Sequence, residues 1–241
     1  MLIMGLDTST RVCSVALLND GELVGEYTQN VKKTHSQRLL PLISCLLDDT
    51  GTDRKDLDAV AVAVGPGSFT GLRIGIATAR ALAQGLGLQA VGVSTLRALA
   101  ENLSGHRILV CPMLDARRDQ VYAALYRPYD APAAAGNTDF ETLLAPTALS
   151  IHELVARLRL SGGRVCFPGD GQARYLDLLH EEIGNRYTAI PSALALNRAS
   201  SVATCAARKL GASPGQYSFL DLRPEYLRVP EAERRRREKD T

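Results

Sequence analysis

Few residues in this chain combine type and spacing in a way that chemistry can use. The first set is Asp7-Thr8-Ser9-Thr10, which follows the short apolar run Leu2 to Leu6. A carboxylate at a strand end can hold a divalent metal, and a hydroxyl-rich turn can hold a phosphate. An Asp in that place can equally cap its own turn through its side chain. The second set is Gly65-Pro66-Gly67-Ser68-Phe69-Thr70-Gly71-Leu72-Arg73-Ile74-Gly75, between an apolar strand-like run and a helical pattern. Glycines at a strand-to-helix junction can present N–H groups to an anion. No Lys-Ser or Lys-Thr follows them, which excludes a P-loop. The Gly65, Gly67, Gly71 spacing is one residue too long for the dinucleotide fingerprint, and no acidic residue lies about 20 positions on. A tight turn with close helix packing needs the same glycines. The third set, Gly169-Asp170-Gly171, reads as a second phosphate loop or as a plain turn.

Other chemistries find little support. His35, His106, His152 and His180 are far apart and form no metal-binding pair on one helix face. There is no G-x-S-x-G elbow, and His35 and Ser36, as helix neighbours, point in different directions. Cys13, Cys45, Cys111, Cys166 and Cys205 are odd in number and scattered, which predicts buried, reduced thiols in a cytosol. A net charge of +2 gives no support to nucleic-acid binding by this chain alone. No apolar run reaches the roughly 18 residues of a membrane span. The strand-like run directly after Met1 argues against a signal peptide.

The elements that must position these residues are legible as patterns. Val12 to Leu18 and Glu22 to about Asn30 read as strands joined by the hairpin signal Asn19-Asp20-Gly21. A strand ending in Asp, a Thr/Ser turn and a hairpin suggest the start of an RNase-H-like or actin-like lobe. Thr34 with Gln37 reads as a capping box for a helix from about His35 to Asp49, with Pro41 inside it. Leu39, Leu40, Leu42, Ile43, Leu46 and Leu47 span an arc of roughly 160° on that helix, more than one core-facing stripe needs. Such a helix is gripped on two sides, by its own lobe and another chain or wholly within its own fold. Asp58 to Val64 is the strand before the glycines. The helix after them, roughly Thr70 to Leu86, gathers Leu72, Ile76, Ala79, Leu82, Ala83 and Leu86 on one side. Arg73, Arg80 and Gln84 make a polar line beside them, and Gly71, Gly75, Ala77 and Ala81 permit close backbone approach. Leu88 to Val93 is a further strand, and Ser94-Thr95 caps a helix ending near Gly105.

These elements make a first lobe over residues 1–105; a smaller second lobe is expected over 106–223. Arg107 to Met113 and Gln120 to Tyr126 pair as strands around the charged turn Asp115-Ala116-Arg117-Arg118-Asp119. Residues 128–138, rich in Pro, Ala and Gly, read as a loop. Ser150 with Glu153 opens a helix to about Leu160. Arg164 to Phe167 is a strand, and helical patterns cover Gln172 to Ile183 and, capped by Asn197, Arg198 to Leu210. The last of these is expected to pack back on the first lobe. A hairpin-then-βα order at the start of both halves fits two related lobes. Residues 224–241, with Arg234 to Arg237 in a row, read as a solvated tail.

Several of these stretches together resemble one family. They are Ile3-x-Gly5-Leu6-Asp7-Thr8-Ser9-Thr10, His35-Ser36-x-x-Leu39-Leu40-Pro41, the glycine stretch 65–75, Asp115-Ala116-Arg117 with Val121-Tyr122, and Pro224-x-Tyr226-Leu227-Arg228. They look like the TsaB (YeaZ) family from residue 1 to about 228; the 128–138 loop and the Arg-rich tail are less typical of it. The resemblance implies a bacterial, cytoplasmic protein with the two-lobed, actin-like/RNase-H-like α/β fold of the ASKHA superfamily. It implies a non-catalytic scaffold or activator in forming N6-threonylcarbamoyladenosine at position 37 of tRNAs that read ANN codons. The paralogous TsaD subunit carries a histidine-bound metal and transfers the group, the ATPase TsaE joins, and tRNA is reached through the complex.

The resemblance also implies that the helices at 35–49 and 70–86 form the homodimer and the TsaD interface. The expected partner contacts are then His35, Leu39, Leu42, Ile43, Leu46, Gly71, Leu72, Gly75, Ile76, Ala79 and Leu82. Neither a catalytic residue nor a metal ligand is expected, and no cofactor is held by the chain itself, although the assembled complex can bind ATP and Mg. A nucleotide site, weak or degenerate, would rest on Asp7, Thr8, Ser9, Gly169, Asp170 and Gly171. Two other classes stand beside this reading: an ATP-dependent phosphotransferase of the same superfamily, and a metalloprotease, for which no constellation is visible.

Overall fold

A computed structural model describes residues 1–129 and 140–228. The expected loop at 128–138, from residue 130 onward, and the tail beyond residue 228 lie outside the described residues.

The first sheet is built from β1 (Leu2–Asp7), β2 (Cys13–Asn19), β3 (Glu22–Gln29), β4 (Ala59–Gly65) and β5 (Gln89–Ser94), in the order β3-β2-β1-β4-β5. β1 to β3 form an antiparallel meander, while β4 lies parallel to β1 and β5 parallel to β4. Asp20 and Gly21 turn the first hairpin with positive φ, as an Asp-Gly pair does most readily. Alternation sorts the side chains. Met4, Leu6, Val15, Leu17, Val60 and Val62 pack under α1 (His35–Thr50) and α2 (Phe69–Leu86). Ile3, Ala59, Ala61, Ala63, Val91 and Val93 point to the opposite face.

The chain then passes through α3 (Thr95–Glu101) into a second sheet. Its strands are β6 (Leu109–Val110), β7 (Met113–Asp115), β8 (Gln120–Pro128), β9 (Phe140–Ser150) and, after α4 (Ile151–Ser161), β10 (Val165–Cys166). β6 and β7 are one line of chain opposite β8, interrupted at Pro112, which has no N–H to give the ladder. With β8 and β9 antiparallel beyond them and β10 parallel to β6, the arrangement repeats β3-β2-β1-β4 of the first lobe. After β10 come α5 (Leu176–Ile183), the short α6 (Ser192–Ala195) and α7 (Ala199–Ala212). α7 returns to the first lobe and covers the alanine-rich face of its sheet through Val202, Ala203 and Ala206. Gly5 is what lets α7 approach, since a Cβ there would overlap the Ala199 carbonyl. Between the lobes, Leu96, Leu99 and Leu103 pack against Val110, Leu114, Tyr126 and Phe140. The buried Glu101 carboxylate ties α3 to α7 by bonding to Arg208 at 2.6 Å and Arg97 at 3.2 Å.

Several expectations are corrected. Thr34 forms no capping box: the Gln37 N–H bonds to its backbone carbonyl rather than to its hydroxyl. α3 has no side-chain cap and ends at Glu101. Residues 170–175 form a 3-10 turn before α5 begins. β9 has no counterpart in the sequence reading: adjacent Leu143-Leu144, Pro146 and two register shifts against β8 break its alternation. It is an edge strand, where a proline costs little. Cys45 is exposed rather than buried.

The largest correction concerns α1 and α2. Leu39, Leu42, Ile43, Leu46, Leu72, Ile76 and Ala79 are all buried in the chain's own core and cannot themselves meet a partner. Gly71 and Gly75 do not thin a face for a partner helix. A Cβ at Gly71 would overlap the Thr8 carbonyl, and one at Gly75 the Thr8 hydroxyl. Most of the wide apolar arc is spent between the sheet, β3 and the neighbouring helix, and Leu40 is left exposed.

Gly71→Ala is therefore expected to cost about 1–3 kcal/mol in denaturant unfolding, as overpacking against fixed backbone does. Gly85→Ala, where a Cβ would meet nothing within 4 Å, is expected to be neutral or to stabilise by up to about 1 kcal/mol. Equal effects at the two positions would contradict this packing.

Candidate functional site

The two lobes bring two turns face to face. The first, residues 7–11, follows β1 and is held from three sides. From within, Asp7 Oδ1 accepts from the Ser9 N–H at 2.8 Å and the Ser9 hydroxyl at 2.6 Å. From α7's entry, Asn197 donates to Asp7 Oδ2 and to Ser9 Oγ at 3.2 Å each, and accepts from the Thr10 hydroxyl. From α2, the Ser68 N–H bonds to the Ser9 carbonyl at 2.6 Å, and the Thr8 hydroxyl donates to the Gly71 carbonyl at 2.8 Å. α1 closes the outside. His35 Nε2 donates to the Thr10 carbonyl at 2.8 Å, while the buried Arg38 donates to the Gln29 and Arg11 carbonyls.

This geometry decides between the two readings of Asp7. Its carboxylate is fully buried and both oxygens are occupied, so it caps the turn and presents no oxygen to the cleft. Burial pushes its carboxyl above the ordinary range, against the opposing bonds from Ser9 and Asn197. Thr8 and Ser9 are likewise enclosed, and Ser9 borders the cleft without exposed surface. Asn197, expected as a helix cap, is instead the cross-link from α7 to this turn; nothing local in the sequence marks it. Burial and the neighbouring Arg38 guanidinium push the His35 imidazole below its ordinary pKa, against its bond to the Thr10 carbonyl. It too serves the turn rather than an outer face.

The second turn, after β7, has Arg117, Arg118 and Asp119 in the left-handed region at φ 62°, 53° and 55°. The Arg117 N–H bonds to Asp115 Oδ1 at 2.8 Å, and Arg174 pairs with Asp119 at 2.9 Å. Gly169 and Gly171 sit against the backbone of Met113 to Asp115, where a Cβ would collide. They are packing glycines, as Gly65 and Gly67 are in the first lobe. Asp170 does reach the cleft, and its Oδ1 accepts from the Asp115 N–H at 3.3 Å. Of the six expected nucleotide contacts, Ser9 and Asp170 line the cleft and the other four do not.

The cleft between the turns has a volume of about 650 Å³. Besides the turns it is lined by His35, the first residues of α2, Tyr122, Tyr226 and Arg228. The C-terminal segment straps across it. The Glu225 N–H bonds to the Val64 carbonyl, Tyr226 stacks on Phe69 at 5.3 Å, and Arg228 donates to the Ala116 carbonyl in the other lobe at 3.0 Å. Arg73 covers Phe69 at 3.8 Å and bonds to the Tyr226 hydroxyl. No spacing in the sequence indicates that Arg11, the adjacent Arg117 and Arg118, and Arg228 line one cleft. Among the described residues no group of three His, Cys, Asp or Glu side chains is placed to hold a metal ion. No described helix is long and apolar enough to cross a membrane.

Two related lobes with this strand order, joined around a cleft, define an actin-like protein of the ASKHA type. A family model described as TsaD, tRNA N6-adenosine threonylcarbamoyltransferase, matches residues 22–235. The tRNA threonylcarbamoyladenosine biosynthesis protein TsaB of Bacillus subtilis is 32% identical over 97% of this chain and 96% of that protein. Its counterpart in Escherichia coli is 37% identical over 74% of this chain and 75% of that protein. The structure of YeaZ from Pseudomonas aeruginosa superposes with a TM-score of 0.72 at 27% identity, covering 94% of this chain and 99% of that one. The chain belongs to the TsaB (YeaZ) family.

The Asp7 assignment has a signed pH consequence. A carboxyl raised on folding lends stability that is fully present below its unfolded pKa and is lost as pH rises through the raised value. The stability of Asp7→Asn minus that of the wild type is therefore expected to grow with pH across that window and then level off. A difference independent of pH would contradict the buried cap. Asp7→Ala, which strands the Ser9 N–H and the Asn197 amide, is expected to cost about 2 kcal/mol or more.

Proposed function

We propose that this chain is a cytoplasmic, non-catalytic subunit that activates a TsaD-type enzyme in the formation of N6-threonylcarbamoyladenosine at position 37 of tRNAs reading ANN codons. A TsaE-type ATPase completes the complex, and tRNA is engaged through it. Kinship with the TsaB proteins, which are named for this pathway, supports the pathway. The enclosure of Asp7 is the observation that favours a subunit without its own phosphoryl-transfer centre. The ATP-dependent phosphotransferase reading needs that carboxylate at the cleft, and it is spent on the turn.

Partner binding, to a TsaD-type subunit or to a second copy, is assigned to the outer face of α1 and α2. That face keeps the two helices named from sequence but changes the residues. Leu40, 60% exposed, leads on α1, where Pro41 and Cys45 are also exposed. On α2 the small Ala77 and Ala81 are exposed, with Leu82 half-buried between the core and the surface. An exposed leucine flanked by small residues on adjoining helices suits helix–helix packing across an interface.

In a mixture of the partner subunits with tRNA, threonylcarbamoyl-adenylate and ATP, modified nucleoside is expected only when this chain is added. Full activity without it would sink the proposal. Leu40→Arg and Ala81→Arg are expected to leave the thermal midpoint nearly unchanged yet abolish complex formation in sedimentation. Leu46→Arg or Ala79→Arg would instead unfold the lobe, since both positions are buried.

A further inference from the structure

At the end of the second sheet away from the interlobe cleft, where β6 begins and β8 stops, lies a separate cavity of about 370 Å³. Its lining comes from three stretches of chain: Arg107 to Leu109, Arg127 with Pro128, and Ser161 to Arg164 after α4. It shares no residue with the cleft or with the α1–α2 face. Gly162 and Gly163, at φ 63° and 76°, turn the chain out of α4 and add no side chain to the space. Arg186 fixes that turn, donating to the Gly163 carbonyl at 2.7 Å and the Leu158 carbonyl at 2.8 Å, and so covers carbonyls at the negative end of α4. Three further guanidinium groups belong to the lining itself. Arg107 forms no hydrogen bond or ion pair among the described residues. Arg164 donates from Nε to the Thr188 hydroxyl at 3.1 Å, which leaves its terminal N–H groups. Arg127 pairs with Glu141 at 2.9 Å, but both side chains are about half exposed, and such a surface pair gives way at little cost. No acid is among the lining residues, so like charges face one cavity with no carboxylate between them.

The remaining walls, Ile108, Leu109 and Pro128, are apolar. A cavity that sets cations beside an apolar wall suits a strand in which phosphates alternate with sugars and bases; a run of carboxylates offers nothing to that wall. Guanidinium groups also grip phosphate oxygens in pairs and stack on unpaired bases. We propose that this cavity holds backbone phosphates of a tRNA through Arg107, Arg127 and Arg164. The choice of tRNA rests on the pathway proposed above; on this geometry the chain touches the RNA itself, with its second lobe. Three arginines supply part of a contact rather than the whole of one, in keeping with the net charge of +2.

Fluorescence anisotropy of an end-labelled, unmodified tRNA transcript, titrated with the full chain, tests it. Saturable binding is expected at about 50 mM salt, weakening as added counterions compete for the phosphates. Arg107→Gln and Arg127→Gln are each expected to weaken it about tenfold at that salt and to lower the salt slope by about one. Both side chains are exposed, so thermal midpoints equal to that of the wild type verify the fold. Arg157→Gln, at an exposed arginine of α4 outside the cavity, is expected to bind as the wild type does. Poly-glutamate is expected to displace the labelled transcript far less readily than unlabelled tRNA does. Four results overturn the proposal: no saturable binding, binding unchanged in both cavity variants, an equal loss in Arg157→Gln, or displacement by poly-glutamate as ready as by tRNA, which would mark the cavity as a seat for an acidic protein. Modified nucleoside formed without this chain would remove the subunit role and leave a measured tRNA contact standing. Cavity variants that bind unchanged would remove the contact and leave the subunit role standing.

Discussion

Between the Asp7–Thr10 turn and the first turns of α2, backbone meets backbone with no side chain in the way. Gly67, Gly71 and Gly75 supply the missing Cβ atoms, and the Ser68 N–H and Thr8 hydroxyl supply the bonds. Close-packed interiors tolerate little change in volume, so this contact fixes the angle at which α2 leaves β4. α2 in turn fixes where α1 can lie on the same face of the sheet. It also places Phe69 under Tyr226, which carries Arg228 to the opposite lobe. The outer helical face and the strapped cleft both follow from this one seam.

The buried polar groups around the seam show how it is kept in register. Asp7, Ser9 and Asn197 form a closed set in which each carboxylate oxygen has a donor. Such a set rigidifies when complete and is costly when broken. It lies where a catalytic carboxylate would be sought, at the C-terminal end of a central strand. Here the turn consumes the group, and the proposal of a subunit without its own phosphoryl-transfer centre rests on that.

Much of the fold was legible in the sequence because its signals were local. The Asn19-Asp20-Gly21 hairpin, the alternating strands and the Ser150–Glu153 capping box each depend on a few neighbouring residues. That both helices carry broad apolar faces was legible from their periodicity. Which face an arc buries was not, and Leu39, Leu42, Ile43 and Leu46 were assigned outward although β3 and α2 enclose them. The glycines were read correctly as permitting close approach, but the approaching group was Thr8, 63 residues away from Gly71, rather than another chain. β9 was missed because an edge strand with a proline and bulges needs no clean alternation. The arginine cluster and Asn197 were out of reach for the same reason: their neighbours are set by topology, and no spacing in the chain records it.

The α1–α2 surface is the proposed place where this chain meets its partner. Amide hydrogen exchange of the full chain, with and without the TsaD-type subunit, tests this most directly. Slowed exchange in residues 35–50 and 69–86 is the predicted result. Slowing confined to the second lobe, or no change in either helix under conditions where the complex forms, would contradict it.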